Sequence, residues 1–522
     1  MKHFEPYLCA VLEQTPRLLG QMDRNRMSPT HGCFDRQYWQ YATSDFPCAR
    51  YQEAALTLAL LYTTDTAKNP YFRNPNMKEW VNAALAFWPR LQSRDGSLSE
   101  WYPNEHSFVA TAFGVYAISE ALLVMGKEAG DRRHLIDCLE KSARWLSGRH
   151  ERLAQNQECG AAAAMYNMYL LTGNAKYRQN AEERVLLLSG MQDSEGWFGE
   201  YGGADIGYLS LALFYLGDMY KKSGMPKLKE IIQKASGFMA HFVHPDGTFG
   251  GTYGSRNTEY LFPYCFELVG SSATAVVAEH TRAATEKRSC VTLSSFDDRY
   301  LSYISYVYIM SYAESVRLAK PTIPPYKKNF TANFPHAGLL AFIRDGTYAV
   351  CNYRKGGAFY VFANGKTFID SGVEVAAGCR LTSGYIGNFE SSFDGSTLVV
   401  SGKLAYVKGR VMNPKRNILL RSFQLTFGRS ELVGRVVKRK LRSSVITSTR
   451  LSDATFKRTI RFGKKIEVED EVSGEICEAG SGGKSSYIYV PSSRYFTAVE
   501  LGQRHAAKPS VRGSVRLSRT LW

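Results

Sequence analysis

No two of the ten cysteines form a CxxC pair, and their positions (9, 33, 48, 138, 159, 265, 290, 351, 379 and 477) show no zinc spacing. No metal ligand set is expected. Single cysteines in apolar stretches read as reduced core residues, which agrees with a cytoplasmic location. Long hydrophobic runs are lacking as well. The longest, such as Tyr208–Gly217, are too short to span a bilayer. The opening stretch MKHFEPYLCAVLEQTPRLLG has Glu5, Pro6 and Glu13 where a signal peptide would be apolar. It reads as an amphipathic helix, so export by that route is not expected. HExxH, GxSxG and dinucleotide fingerprints are all missing. GSGGKSS near Gly483 is a poor phosphate loop, because the leading glycine would fall at Glu478 and the flanks are strand-like. No cofactor is implied.

Acidic residues are scarce in one region. From Lys403 to Trp522 there are 25 Lys/Arg and 9 Asp/Glu, a net of +16 out of +17 for the chain. Such a basic half suits an anionic partner, whether polysaccharide, nucleic acid or membrane surface, or else a solvated β surface. Without a recognisable nucleic-acid module, nucleic acid is not expected. The length calls for two domains.

What the chain does have is repetition. Helical segments open near Asp45, Asn104, Asn156, Asp205, Thr258 and Tyr300, at intervals of about fifty residues. SRDGSLSEWYPNEH, DSEGWFGEYGGAD and HPDGTFGGTYGSRNTEY each place a tight Asp-Gly or Glu-Gly turn before an aromatic and a polar loop. Asn104, Asp205 and Thr258 are placed to cap the helices that follow. HSFVATAFGVYAISEALLVMG, CGAAAAMYNMYLLTG and GYLSLALFYLGDMYKKSG are apolar on most sides, which suits buried helices. LIDCLEKSARWLSGRHERL and PKLKEIIQKASGFMAHF are amphipathic. Alternation of the two kinds predicts an (α/α)6 toroid over residues 1–319. A proline-rich linker (320–335) and an antiparallel β-sandwich (336–522) follow. Asn364-Gly365 between apolar runs marks a hairpin, and KRTIRF with KIEVEDEV marks another.

In a closed ring, the loops entering the inner helices share one rim. That geometry gathers Asn104, Glu105 and His106; Asn156, Gln157 and Glu158; Glu200, Tyr201, Asp205 and Tyr208; and Arg256, Asn257, Glu259 and Tyr260. These types suit proton abstraction beside a carboxylate. Asn156 would disperse carboxylate charge, with Gln157 beside it. Tyr208, or Tyr201 in its place, would act as base, and His106 as acid. Arg256 and Tyr260 would hold sugar. A rival reading uses Glu105, Asp205 and Glu259 as the acid and base of a glycoside hydrolase. A uronate epimerase and a non-catalytic carbohydrate-binding factor are further alternatives. As plain structural residues, Asn104 and Asn156 would be helix caps and Tyr208 a core tyrosine.

The order of these segments, the Asn156…EYGGADIGYLSLAL spacing, AFYVFANGKTFIDSG with its Asp-x-Gly, and the FKRTIRF…IEVEDEV hairpin resemble the heparinase II/III-like polysaccharide lyases. The resemblance implies a toroid-plus-sandwich fold, β-elimination on an acidic polysaccharide, Asn156 at the carboxylate and Tyr208 or Tyr201 as the catalytic tyrosine. The chain departs from that pattern before its sandwich strand. Where many members carry histidine it reads CNYRKGGAF, with Tyr353, Arg354 and Lys355. Arg354 is a candidate to take over carboxylate binding.

Overall fold

The computed structural model describes residues 3–315, 323–344, 346–376, 379–407, 413–431, 433–434, 436–437, 449–463, 465–474, 478–481, 501, 507–509 and 513–521. The N-terminal part contains α1 (Glu5–Gln21), the short α2 (Arg36–Trp39), α3 (Ala54–Thr63), α4 (Pro75–Phe87), α5 (Phe108–Met125), α6 (Arg132–Ser147), α7 (Gln155–Thr172), α8 (Ala175–Met191), α9 (Ile206–Ser223), α10 (Pro226–Met239), α11 (Tyr264–Leu268), α12 (Ser272–Lys287) and α13 (Asp298–Glu314). The odd-numbered helices from α3 to α13 pack each on the next, and α13 returns to α3, so the inner ring is closed. Outer helices α4, α6, α8, α10 and α12 pair with the inner helix preceding each. The sixth pair joins the two ends of the domain: α1 packs on α13, and the Phe4 N–H donates to Ser315 Oγ at 2.8 Å.

The residue pattern explains which helices go inside. α5 is buried along nearly its whole length, whereas α6 buries only Leu135, Leu139, Ser142, Ala143, Trp145 and Leu146. Phe108–Glu128 is in fact long and apolar enough to cross a membrane, unlike the shorter runs singled out from sequence. Its burial within the ring identifies it as a core helix.

Capping differs in part from expectation. Asp205 caps α9 by accepting from Tyr208 N, but Ser107, not Asn104, caps α5. Asn156 lies inside α7 and caps nothing. Thr258 does not start a helix, because its hydroxyl is engaged by Asp205 and Gly207 N. The chain therefore runs on across the start of α9 until Pro263 initiates α11.

The C-terminal part is built from two antiparallel sheets. The first is a meander of β1 (Phe330–Phe334), β2 (Leu339–Arg344), β3 (Thr347–Asn352), β4 (Ala358–Ala363) and β5 (Lys366–Asp370). β1 lies inside the stretch expected as the linker, 320–335. Asn364 and Gly365 have φ of 50° and 69°, the left-handed pair a two-residue hairpin turn needs. The second sheet contains β6 (Val373–Ala376), β7 (Arg380–Thr382), β8 (Glu390–Phe393), β9 (Thr397–Tyr406), β10 (Leu451–Phe462), β11 (Ile466–Gly474), β12 (Glu478–Ser481), β13 (Ala507–Pro509) and β14 (Gly513–Thr520). β10 and β11 form the expected hairpin, with Phe456, Ile460, Val468 and Val472 turned inward.

β3 and β4 are buried on both faces, which accounts for their unbroken apolar sequence. Leu340, Ala349, Phe359 and Val361 face the second sheet, while Tyr348, Val350, Tyr360 and Phe362 pack on the toroid. Helix also occurs within this strand-rich part. α14 (Pro414–Leu425) leaves the sandwich between β9 and β10, with Asn413 as its cap and proline in its first turn. Residues 482–500, including most of the rejected phosphate-loop segment, lie outside the described residues.

Candidate active site

Backbone pairing between the loops of neighbouring repeats builds the rim. Glu200 bridges to Ala154 and Gly203, and Tyr201 N donates to Leu153 O at 2.8 Å. The loop before α9 is thereby stitched to the start of α7, and this places the buried Glu200 carboxylate beside Asn156. Asn156 Nδ2 donates to Glu200 Oε2 at 2.6 Å, and Arg256 Nη1 donates to Glu200 Oε1 at 2.8 Å. One carboxylate thus orients an amide from the third repeat and a guanidinium from the loop before the fifth.

Arg256 lies over two tyrosines from the fourth repeat, 4.6 Å from the Tyr201 ring centroid and 5.0 Å from that of Tyr208. Burial disfavours its charge, but the Tyr208, Glu200 and Tyr201 side chains outweigh this and raise its pKa. Its Nε is buried and makes no hydrogen bond. Asp205 supports the arrangement from below. Its carboxylate accepts from Tyr208 N at 3.2 Å and from Arg256 N at 2.9 Å. Tyr260 packs edge-on against Tyr208 at 6.3 Å. Tyr201 holds φ of 51°, a costly conformation for a side chain of its size and one that tends to occur at working sites, while Asn257 holds 57°, which asparagine adopts readily.

The ring brings together Asn156, Tyr201, Tyr208, Asp205, Arg256, Asn257 and Tyr260. Gln157 follows on α7, half-buried. Other candidates are engaged elsewhere. Asn104 Nδ2 donates to Gln424 O on α14 at 3.1 Å. Glu105 accepts from Glu100 N and Trp101 N, both at 2.8 Å, and so braces its own loop. His106 Nδ1 meets Asp95 at 2.7 Å and Ser97 Oγ at 2.8 Å. Burial opposes ionisation of Asp95, yet hydrogen bonds from His106 and Ser97 hold its carboxyl below the usual range. Glu259 accepts from Tyr360 in the toroid–sandwich interface. Arg354 donates to His336 O at 2.6 Å and Asn388 Oδ1 at 3.2 Å, tying sandwich turns together.

Two groups escaped selection from sequence. Lys355 was noted only as standing where histidine was expected. It is buried, and its Nζ donates to Gly254 O and Asn257 Oδ1, on either side of Arg256. The turn that delivers it has left-handed glycines at 356 and 357. A Cβ on Gly356 would come within 2.3 Å of Ser383 O. Burial lowers the Lys355 pKa to about 7, with Asp205 opposing. The second group lines the other side of the rim. Arg299 donates to Glu100 at 3.0 Å and covers Trp101 at 3.6 Å, while Arg50 pairs with Glu53 and lies 4.1 Å from the Tyr303 ring centroid. Burial raises the Glu53 pKa to about 7. Charged residues within the apolar stretches ARYQEAALTLALL and DRYLSYISYVYIM were the available signal.

No family model and no curated protein matches the chain. Solved structures do. A chondroitin AC lyase from Streptomyces coelicolor A3, in complex with chondroitin sulphate, superimposes with a TM-score of 0.53 at 12% identity, covering 91% of this chain and 68% of its own. A xanthan lyase from Paenibacillus gives 0.51 at 11% identity, covering 90% of this chain. The fold is that of polysaccharide lyases. The chain spans under half of that xanthan lyase, at 46% of its length. The toroid-plus-sandwich architecture expected from the resemblance is therefore present, a helical ring followed by a sandwich.

Proposed function

We propose that the chain is a lyase that cleaves a uronate-containing polysaccharide by β-elimination. The observation that carries this reading is Arg256, fixed by Glu200, standing over Tyr201 and Tyr208 with an unused Nε, while Asn156 shares the same carboxylate. The C5 proton of a uronate becomes acidic once its carboxylate charge is dispersed. Arg256 Nε and the Asn156 amide are the donors for that group. A guanidinium beside a phenol favours the phenolate form. Tyr208 then takes the C5 proton, and the C5–H electron pair forms the C4–C5 double bond. The C4–O bond breaks, and the same proton passes from Tyr208 to the leaving oxygen. Lys355 holds the Gly254–Asn257 loop, and Arg256 with it. Arg299, Trp101 and Tyr303 offer charge and a stacking surface for further sugar units.

The hydrolase reading has less support. Glu105 and Asp205 spend their carboxylates on backbone N–H groups, and Glu259 is engaged by Tyr360. Incubation with a panel of uronate polymers tests the proposal, with rising near-ultraviolet absorbance of the unsaturated sugar as the expected result. New reducing ends without that absorbance would identify hydrolysis instead. Solvent deuterium at C5 without cleavage would identify epimerisation.

A further inference from the structure

The excursion between β9 and β10 accounts for most of the chain's charge. Residues 408–450 contain twelve Lys/Arg and one acidic residue, Glu431. Its described part rests on the rim of the toroid. Arg421 donates to Asp45 at 2.7 Å, Asn104 donates to Gln424 O at 3.1 Å, and Arg149 donates to Glu431 at 2.6 Å. α14 therefore has a defined inner face, formed by Leu420, Arg421, Phe423 and Gln424.

Among the described residues, nothing covers the opposite face. Ile418 and Leu419 are 67% and 72% exposed, and Phe427 just beyond the helix is 72% exposed. Leu425, Val433 and Val436 are exposed as well, which makes this the densest exposed apolar group among the described residues. Lys415, Arg416 and Arg429 are exposed beside them, and no ion pair is formed by these three among the described residues. Both Asp45 and Glu431 are already engaged by arginines. Aliphatic side chains at this density do not suit a sugar polymer, which is bound through aromatic faces and hydrogen bonds. An apolar strip flanked by unpaired cations matches a bilayer interface, with the strip in the acyl boundary and the cations at anionic headgroups.

We propose that the outward face of α14 and the turn after it dock on an anionic lipid bilayer. Because the inner face of α14 is bonded to Asp45 and Asn104, docking holds the mouth of the ring beside that bilayer. This inference is independent of the lyase reading and needs no turnover to test.

The test is co-sedimentation of the full chain with vesicles. Phosphatidylglycerol mixed with phosphatidylcholine is compared with phosphatidylcholine alone. Binding is expected only to the mixed vesicles and is expected to weaken with salt. Lys415→Gln, Arg416→Gln and Arg429→Gln each lower partitioning about fivefold. Ile418→Asp with Leu419→Asp and Phe427→Asp removes it, with the melting temperature of the soluble protein retained. Three results would overturn the proposal. One is no binding to the mixed vesicles. Another is binding that these substitutions leave unchanged. The third is a concentration-dependent dimer that the aspartate variants dissolve while vesicle binding is absent, which would assign the strip to a second copy.

Discussion

Two buried arginines, Arg256 at the toroid rim and Arg458 in the sandwich, show how differently the same side chain can be used. Arg458 is fully buried and bonds Asp470 at 2.6 and 2.9 Å, Asp370 at 2.7 Å and Gly357 O at 3.2 Å. Arg519 reaches Asp370 at 2.5 Å, so two arginines meet two aspartates. These neighbours keep Arg458 charged against its burial and hold the Asp370 carboxyl down. That cluster is charge-balanced and enclosed within the sandwich. Arg256 also has a carboxylate partner, but it keeps an unused donor and is covered by phenols rather than by core. Balanced ion clusters hold sheets in register. A spare donor beside titratable groups is what a ligand can use.

The largest expected effect tests the rim. Tyr208→Phe should lower turnover by about 10²–10⁴-fold while leaving the melting temperature unchanged. If turnover survives, Tyr201 is the base, and Tyr201→Phe carries the loss instead. Arg458→Met should do the reverse. By leaving the buried carboxylates of Asp370 and Asp470 to share Arg519 alone, it should cost about 3–5 kcal/mol in denaturant unfolding, with kcat unchanged in whatever protein remains folded. Asn156→Ala should lower kcat/KM by about 10²–10³-fold, as loss of a charge-stabilising donor does. A loss confined to stability would place Asn156 with Arg458 on the structural side of the comparison.

Lys355 gives a pH-dependent test. Its folded pKa of about 7 lies below the ordinary lysine value of 10.5, so the unfolded chain binds the extra proton between those limits. Stability relative to Lys355→Met should therefore rise from pH 7 towards 10.5 and be flat below 7. A flat difference throughout would show that the amine carries no burial penalty. The smallest effect belongs to Arg354, whose bonds staple sandwich turns. Arg354→Ala should change stability by no more than about 1 kcal/mol and leave KM unchanged.

How much of this was legible differs between the two parts. The toroid could be read because burying a helix on most sides demands a composition that no surface helix has, and because the repeats recur. The hairpins at Asn364-Gly365 and β10–β11 were legible from turn chemistry and alternation. α14 was missed because its residues are mostly exposed, so no apolar period marks it. Only the Asn413-Pro414 start could have signalled it. Asn156 could be singled out, but its partner Glu200 could be named only as one rim carboxylate among several. The Asp-x-Gly and the arginine hairpin were recognised as pattern, and their meeting as Asp370 and Arg458 is a fact of folding.

Local sequence alone determined the alternation of buried and half-buried helices, the change to strand after residue 330, and the polar chemistry of the rim loops, because periodicity and turn residues act over a few neighbours. Tertiary structure alone decided which polar residues share a carboxylate, that Lys355 crosses from the sandwich to clamp the Arg256 loop, and that α14 lies on the rim. Those outcomes depend on closure of a ring and docking of a second domain, which bring together side chains fifty to several hundred residues apart.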